Sequence, residues 1–232
     1  MRPGAGAGLL FLAQLGVVVA VWSESLRLPD RWNPWARLSI DEPPGVFTRY
    51  KLARLTDDAP ACRAVLDGST MRWAPEPDRE TAAGCGWSDA VRVSATPSRV
   101  GAPFVLTCPA AVALALWERH SVQPLALQHF GVAVTRVDHF GSYSCRNIGG
   151  EAGGRRSEHA TANAFDVAGF GLADGRSIRV AADWRRADAT GRFLREVHAD
   201  ACRTWNVVLG PDYNAAHADH LHLDRGPFRS CR

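Results

Sequence analysis

The chain of 232 residues has a single lysine, Lys51, among its 27 basic residues, and its net charge is only +3. An excess this small, with arginines and acids interspersed along the chain, excludes the basic stripe of a nucleic-acid binder. The near-absence of lysine beside abundant alanine and arginine reads as GC-rich coding and carries no binding argument. No two of the six cysteines form a C-x-x-C pair, which excludes a zinc ribbon and a thioredoxin-type redox motif. No internal repeat is present. The body is not short of apolar residues: 46% hydrophobic and 22% charged is an ordinary globular balance, so disorder is excluded too. The length suits one substantial core with a small appended subdomain.

Behind Arg2 runs a nearly uncharged stretch, residues 5–22, with apolar centres at 9–11 and 17–21 and polar Ser23, Glu24 and Ser25 after it. This reads as a signal peptide or membrane anchor over residues 1–22. No small-x-small cleavage site precedes Ser23, because Val19, Ala20, Val21 and Trp22 stand there. An uncleaved inner-membrane anchor with a periplasmic or envelope location is therefore the expectation. Cys62, Cys85, Cys108, Cys145, Cys202 and Cys231 agree with export, as three disulfides formed in an oxidising compartment. Local closure favours Cys62 with Cys85 and Cys202 with Cys231, which leaves Cys108 with Cys145 among 15 possible connectivities.

Residues 23–60 are rich in proline and tryptophan without periodicity and read as an extended spacer, with a helical piece near 49–55. A small lobe is expected over 61–105, with a strand at 90–93. Pro109 marks the first turn of a helix that starts at Cys108 and runs to Glu118, and Pro124 marks a second to Phe130. Strands are expected around 132–137, 164–168, 178–180, 207–209 and 220–224, and a helix over 187–205. Residues 149–154 form a glycine-rich loop. The expected fold is α+β, with a small antiparallel sheet, flanking helices and disulfide staples, its main domain at 106–232.

Three of the eight histidines, His217, His220 and His222, fall within six positions. In a strand, His220, His222 and Asp224 share one face while Leu221 and Leu223 point into the core. Upstream, His159 and Asp166 stand seven residues apart, close enough to reach one centre. Two His nitrogens and a carboxylate oxygen suit zinc and leave a fourth position open.

Ser157-Glu158-His159, Ala164-Phe165-Asp166 and the distal His220-Leu221-His222 together resemble the superfamily of lysostaphin-type enzymes, D-alanyl-D-alanine metallopeptidases and hedgehog domains. With Ser142-Tyr143-Ser144-Cys145-Arg146, the run through Phe170 and the Cys231-Arg232 ending, the region from Cys62 onward resembles the bacterial extensin-like C-terminal domain family. The resemblance implies His159, Asp166 and His222 as zinc ligands. His217-x-x-His220-x-His222 is similar to the ending of penicillin-insensitive murein endopeptidases, which implies His220 as general base or transition-state stabiliser beside His217, with Asp219 as the alternative base. Arg146 matches a substrate-facing arginine of related carboxypeptidases, suited to grip a carboxylate. Ser157 either meets substrate or caps a local turn. Where the superfamily usually carries glycine between the upstream ligands, this chain has Ala162, at a position that calls for positive φ.

The implied activity is zinc-dependent hydrolysis of an amide bond in peptidoglycan stem peptides or cross-links. The competing reading is a non-catalytic zinc-stabilised domain that binds or structures the wall.

Overall fold

The computed structural model describes residues 4–23, 25 and 29–232, with side chains from Gly8 onward; Arg2 and Glu24 of the N-terminal reading lie outside the described residues. The first helix, α1, is Gly4–Trp22. At 1.5 Å per residue it extends about 28 Å, just short of a hydrocarbon core of about 30 Å. Among the described residues no helix is long and apolar enough to cross a membrane.

Residues 29–47 are irregular apart from one 3-10 turn at Asp30–Trp32. They do not form the free spacer expected from their prolines. Ile40 is buried, and its carbonyl accepts from His120 Nε2 at 2.8 Å. The Asp30 carbonyl accepts from Lys51 Nζ at 2.7 Å, and the Pro44 carbonyl accepts from Arg203. Carbonyls that a proline-rich backbone cannot pair internally are satisfied by long side chains of the body, and this lays the segment onto it.

The helices α2, Thr48–Arg54, and α3, Ala59–Asp67, follow, the latter capped by Asp58, which accepts from Ala61 N at 3.0 Å. Strands β1 (Arg72–Pro75), β2 (Arg79–Ala82), β3 (Cys85–Trp87), β4 (Ala90–Ala95) and β5 (Phe104–Thr107) come next. A three-stranded sheet has the order β1-β4-β5, and β2 with β3 forms a separate hairpin. The helix α4, Cys108–Trp117, has Pro109 in its first turn and every residue buried. A helix apolar on all sides belongs inside a core, and this one packs against α3, β4 and β5. After one wider turn at Glu118–Val122 the chain continues as α5, Gln123–Phe130, which ends on left-handed Gly131.

The second sheet is built from β6 (Val134–Gly141), β7 (Ala164–Leu172), β8 (Ser177–Arg179), β9 (Val207–Leu209), β10 (Leu221–Asp224) and β11 (Ser230–Cys231). Its order is β11-β9-β10-β7-β6 with β8 also on β7, antiparallel except for β11 on β9. Between β8 and β9 lie α6, Val180–Asp183, and α7, Ala189–Ala201, which is capped by Asp188. The mixed helix-and-sheet architecture with small antiparallel sheets and three disulfides is as expected. Gly169 is required where β8 crosses β7, because a β-carbon there would meet the Ile178 carbonyl at 2.3 Å. One continuous core runs from Ile40 to Leu223 and includes α4 and the inward side chains of β7 and β10.

Two of the three expected disulfides are corrected. Cys62 pairs with Cys108 and Cys85 with Cys145, while Cys202 pairs with Cys231 as expected. Packing decides the exchange: α3 lies against α4 and brings Cys62 onto Cys108, so no bridge closes within 61–105. The β2–β3 hairpin instead fastens Cys85 to the loop after β6.

Candidate metal centre

The site grows from the register of β7 and β10. Asp166 and His222 are directly opposed across these strands, while the flanking Leu221 and Leu223 are fully buried on the core side. Pairing at this position puts the carboxylate and the imidazole on one face. The third member, His159, sits on a 3-10 turn at Glu158–Thr161, whose N-cap Ser157 accepts from His159 N at 3.3 Å. The turn closes on Ala162 at φ 54°, one of two non-glycine residues with positive φ among the described residues.

His159, Asp166 and His222 are all buried, with their candidate ligand atoms within 4.8 Å of one another. His159 Nε2 lies 3.2 Å from His222 Nδ1 and 3.1 Å from Asp166 Oδ2, and His222 Nδ1 lies 2.9 Å from Asp166 Oδ1. The outer nitrogens are committed. His159 Nδ1–H donates to the Ser142 carbonyl at 3.1 Å, and His222 Nε2–H donates to Asp224 Oδ2 at 3.1 Å. Each imidazole therefore turns its other nitrogen toward Asp166. Two lone pairs and a carboxylate oxygen meeting at these distances require a cation between them, either a proton or a metal. Tetrahedral zinc with bonds of about 2.0 to 2.1 Å holds its ligands about 3.3 Å apart, so the donor set fits the ion, and the oriented outer partners are those a metal site needs.

Without a metal, a proton takes that place. Burial is the largest single influence on His222 and pushes its imidazole down, yet the hydrogen bonds and charges of Asp166 and Asp224 together raise it to about 9. Burial likewise pushes Asp166 up, but its bonds from His159 and His222 outweigh this and hold it well below the usual carboxylate range. The His222 contribution to metal-free stability is complete below its ordinary 6.5 and is lost as pH rises through about 9. A shift of this size is on the order of 3 kcal/mol. Thermal unfolding of the metal-free protein should therefore fall by several degrees between pH 6.5 and 9.5, while metal uptake strengthens over the same window. A flat unfolding profile would show that His222 is not the proton holder.

The remaining sequence candidates gather around this triad. His220 lies just ahead of β10 and not within it, and its Nε2 is 3.6 Å from Asp166 Oδ1. Its Nδ1–H donates to Asp219 Oδ1 at 2.8 Å, and Asp219 is otherwise largely exposed. His217 ends the 3-10 turn Ala215–His217, bonds Asn214 Oδ1 through Nδ1 at 2.7 Å, and places its ring 5.2 Å from that of His220 and 5.7 Å from that of His222. Burial first, then the charges of His222 and His220, push His217 down to about 4. Arg146 is exposed on the loop after β6 and lines a cleft of about 470 Å³ together with Ser157, His217, His220 and His222. The Ser157 hydroxyl is engaged in capping, which favours the turn role over substrate contact.

Asp224 and Ser142 carry roles that residue type alone did not assign. Alternation along β10 already put Asp224 on the His222 face, and that was the available signal for its bond to His222. The Ser142 carbonyl reaches His159 because the β6–β7 register shifts between His139 and Gly141, turning the chain out of the sheet. The β2–β3 hairpin braces this strap from outside, through Cys85–Cys145, a Trp87–Tyr143 edge contact at 4.9 Å, and Arg156, which donates to the Ala83 carbonyl at 2.8 and 3.2 Å.

Residues 60–232 match the family model described as extensin-like protein C-terminus. The chain belongs to this family. No curated protein and no solved structure matches it. In this extensin-like domain the three candidate ligands, the histidine pair and Arg146 all fall inside the matched region.

Ala162 completes the picture of the His159 turn. Its carbonyl accepts from Thr107 N at 2.9 Å, and its methyl is buried with Ala90 and Val105. Left-handed backbone costs an alanine about 1 to 2 kcal/mol, and burying the methyl returns about 0.8 kcal/mol. Ala162→Gly should thus leave stability within about 1 kcal/mol of the parent, with unchanged metal content. Ala162→Val, β-branched at positive φ, should cost on the order of 2 to 3 kcal/mol and weaken metal binding. Denaturant unfolding with metal analysis checks both; a valine tolerated at no cost would refute the constraint.

Proposed function

We propose that this protein is a zinc-dependent peptidase of the bacterial cell envelope that hydrolyses an amide bond of the peptidoglycan stem peptide or cross-link, and that its domain belongs with the lysostaphin, D-alanyl-D-alanine peptidase and hedgehog group. The observation that carries this reading is the convergence of His159, Asp166 and His222 at the edge of a cleft, with a fourth side chain, His220, turned toward the same point. A purely structural metal site has no need of His220.

Zinc bound by the triad supplies Lewis acidity and a water whose pKa is lowered toward about 7. Every other part falls to the chain. The Asp219 carboxylate holds His220 Nδ1–H and so keeps Nε2 free to take a proton from the attacking water. The same carboxylate stabilises the imidazolium that results, and His220 Nε2–H then returns the proton to the leaving amine. This geometry favours His220 over Asp219 as base. His217 packs on both His220 and His222 and stays neutral at ordinary pH, adding no competing charge. Arg146 reaches into the cleft to pair with a substrate carboxylate or the developing oxyanion.

Three disulfides and α1, whose Leu9, Leu10, Phe11 and Leu12 are each more than 60% exposed, support export and attachment at the membrane. Because residues 29–47 lie on the body, the catalytic domain is held near that attachment. Incubating the full chain with N-acetylated stem peptides and assaying newly formed amino groups tests the reaction. Release that stops with a chelator and returns with zinc is expected. Chelator-insensitive release would point to another catalytic apparatus.

A further inference from the structure

The cleft does not end at the triad. Beyond His222 it continues over Leu209 and Val207 of β9 to Ser230 of β11, and Arg155 and Phe228 form its far wall. The Arg155 guanidinium lies 4.3 Å from the Phe228 ring centroid, and Phe228 remains 56% exposed even so. An aromatic ring left open at the mouth of a cleft with an arginine laid on it is a prepared surface: stacking fixes the guanidinium while its in-plane N–H donors stay free.

The charges in the cleft point the same way. Among the described residues neither Arg146 nor Arg155 makes a side-chain hydrogen bond or ion pair, although both line the cleft. The carboxylates that line it are already engaged. Glu158 Oε2 accepts from Asn163 Nδ2 at 2.8 Å, and Asp224 accepts from His222 and from Gly226 N. Neither carboxylate pairs with Arg146 or Arg155, so the cleft holds two guanidinium groups whose N–H donors are open to a ligand.

We propose that Arg155, seated on Phe228, is a second anion-recognition point that binds a carboxylate of the substrate distant from the scissile bond, so that the cleft selects acidic peptides laid across β10, β9 and β11. This rests on the peptide-binding reading of the cleft and adds a specificity-determining residue to it. A planar, stacked guanidinium gives two-pronged recognition that lysine cannot reproduce.

The test uses the zinc-loaded full chain carrying His220→Ala, so that binding is read without turnover. The probes are L-Ala-γ-D-Glu-L-Lys-D-Ala-D-Ala and the same peptide with its glutamate carboxylate amidated, titrated by calorimetry. Amidation and Arg155→Ala should each weaken binding about tenfold, and in combination no further than either alone. Arg155→Lys should recover little of the loss, and metal content should not change in any of these variants. Equal affinity of the Arg155→Ala and parent proteins for both peptides overturns the proposal, as does failure of the parent to bind either. Hydrolysis that is unchanged by Arg155→Ala in a chain that keeps His220 would refute this subsite and leave the peptidase standing. Arg155-dependent binding without hydrolysis would do the reverse.

Discussion

His220→Ala should keep one zinc per chain and lose between about 100-fold and 10,000-fold in kcat, the range for a positioned general base. His220 touches the triad only through the 3.6 Å approach to Asp166 and contributes none of the three mutually close donor atoms. On the proposed mechanism its removal takes away proton transfer and leaves the three candidate ligands in place. Asp219→Asn should be milder, because the amide still accepts from His220 Nδ1–H but stabilises the imidazolium less. Metal analysis and steady-state kinetics on the same preparations check the division; loss of zinc from the His220 variant would make His220 a ligand.

The second large effect belongs to His222. Its Nδ1 is one of the three converging donors and its ring is buried, so His222→Ala removes a bond that no neighbour replaces. Zinc affinity should fall at least 1,000-fold, about 4 kcal/mol, with hydrolysis lost in parallel. Asp224→Ala leaves the ligand in place but frees its ring. The loss there should be about 10-fold to 100-fold in affinity, as when the outer partner of a metal histidine is removed. Competition against a chromophoric chelator reads both, and an Asp224 variant as impaired as the His222 variant would argue against the graded scheme.

Much of this arrangement was legible in residue order because strand and helix periods are local. Leu221 and Leu223 alternating with His222 and Asp224 identified the inward and outward faces of β10, and Pro109 and Pro124 marked helix starts that the structure places at Cys108 and Gln123. Ala162 announced a left-handed position through the glycine expected there. What stayed hidden depends on packing between distant segments. Local closure cannot know that α3 lies on α4, so Cys62 was assigned to its nearer neighbour. Prolines in 29–47 looked like a spacer because the donors that satisfy those carbonyls, Lys51, His120 and Arg203, come from elsewhere in the chain. Arg155 and Phe228 meet only once β11 has folded beside β9, and no pattern in either stretch announces the stack.

Mass spectrometry of muropeptides after intact peptidoglycan has been incubated with the full chain decides whether the cleft is that of a peptidase. Stem-peptide or cross-link products cut at one amide bond are expected, absent with a chelator and with His222→Ala, and restored to the chelated wild-type protein by zinc. A zinc-loaded chain that leaves every stem peptide and cross-link intact would contradict the peptidase reading and make the metal centre a structural support for a wall-binding domain.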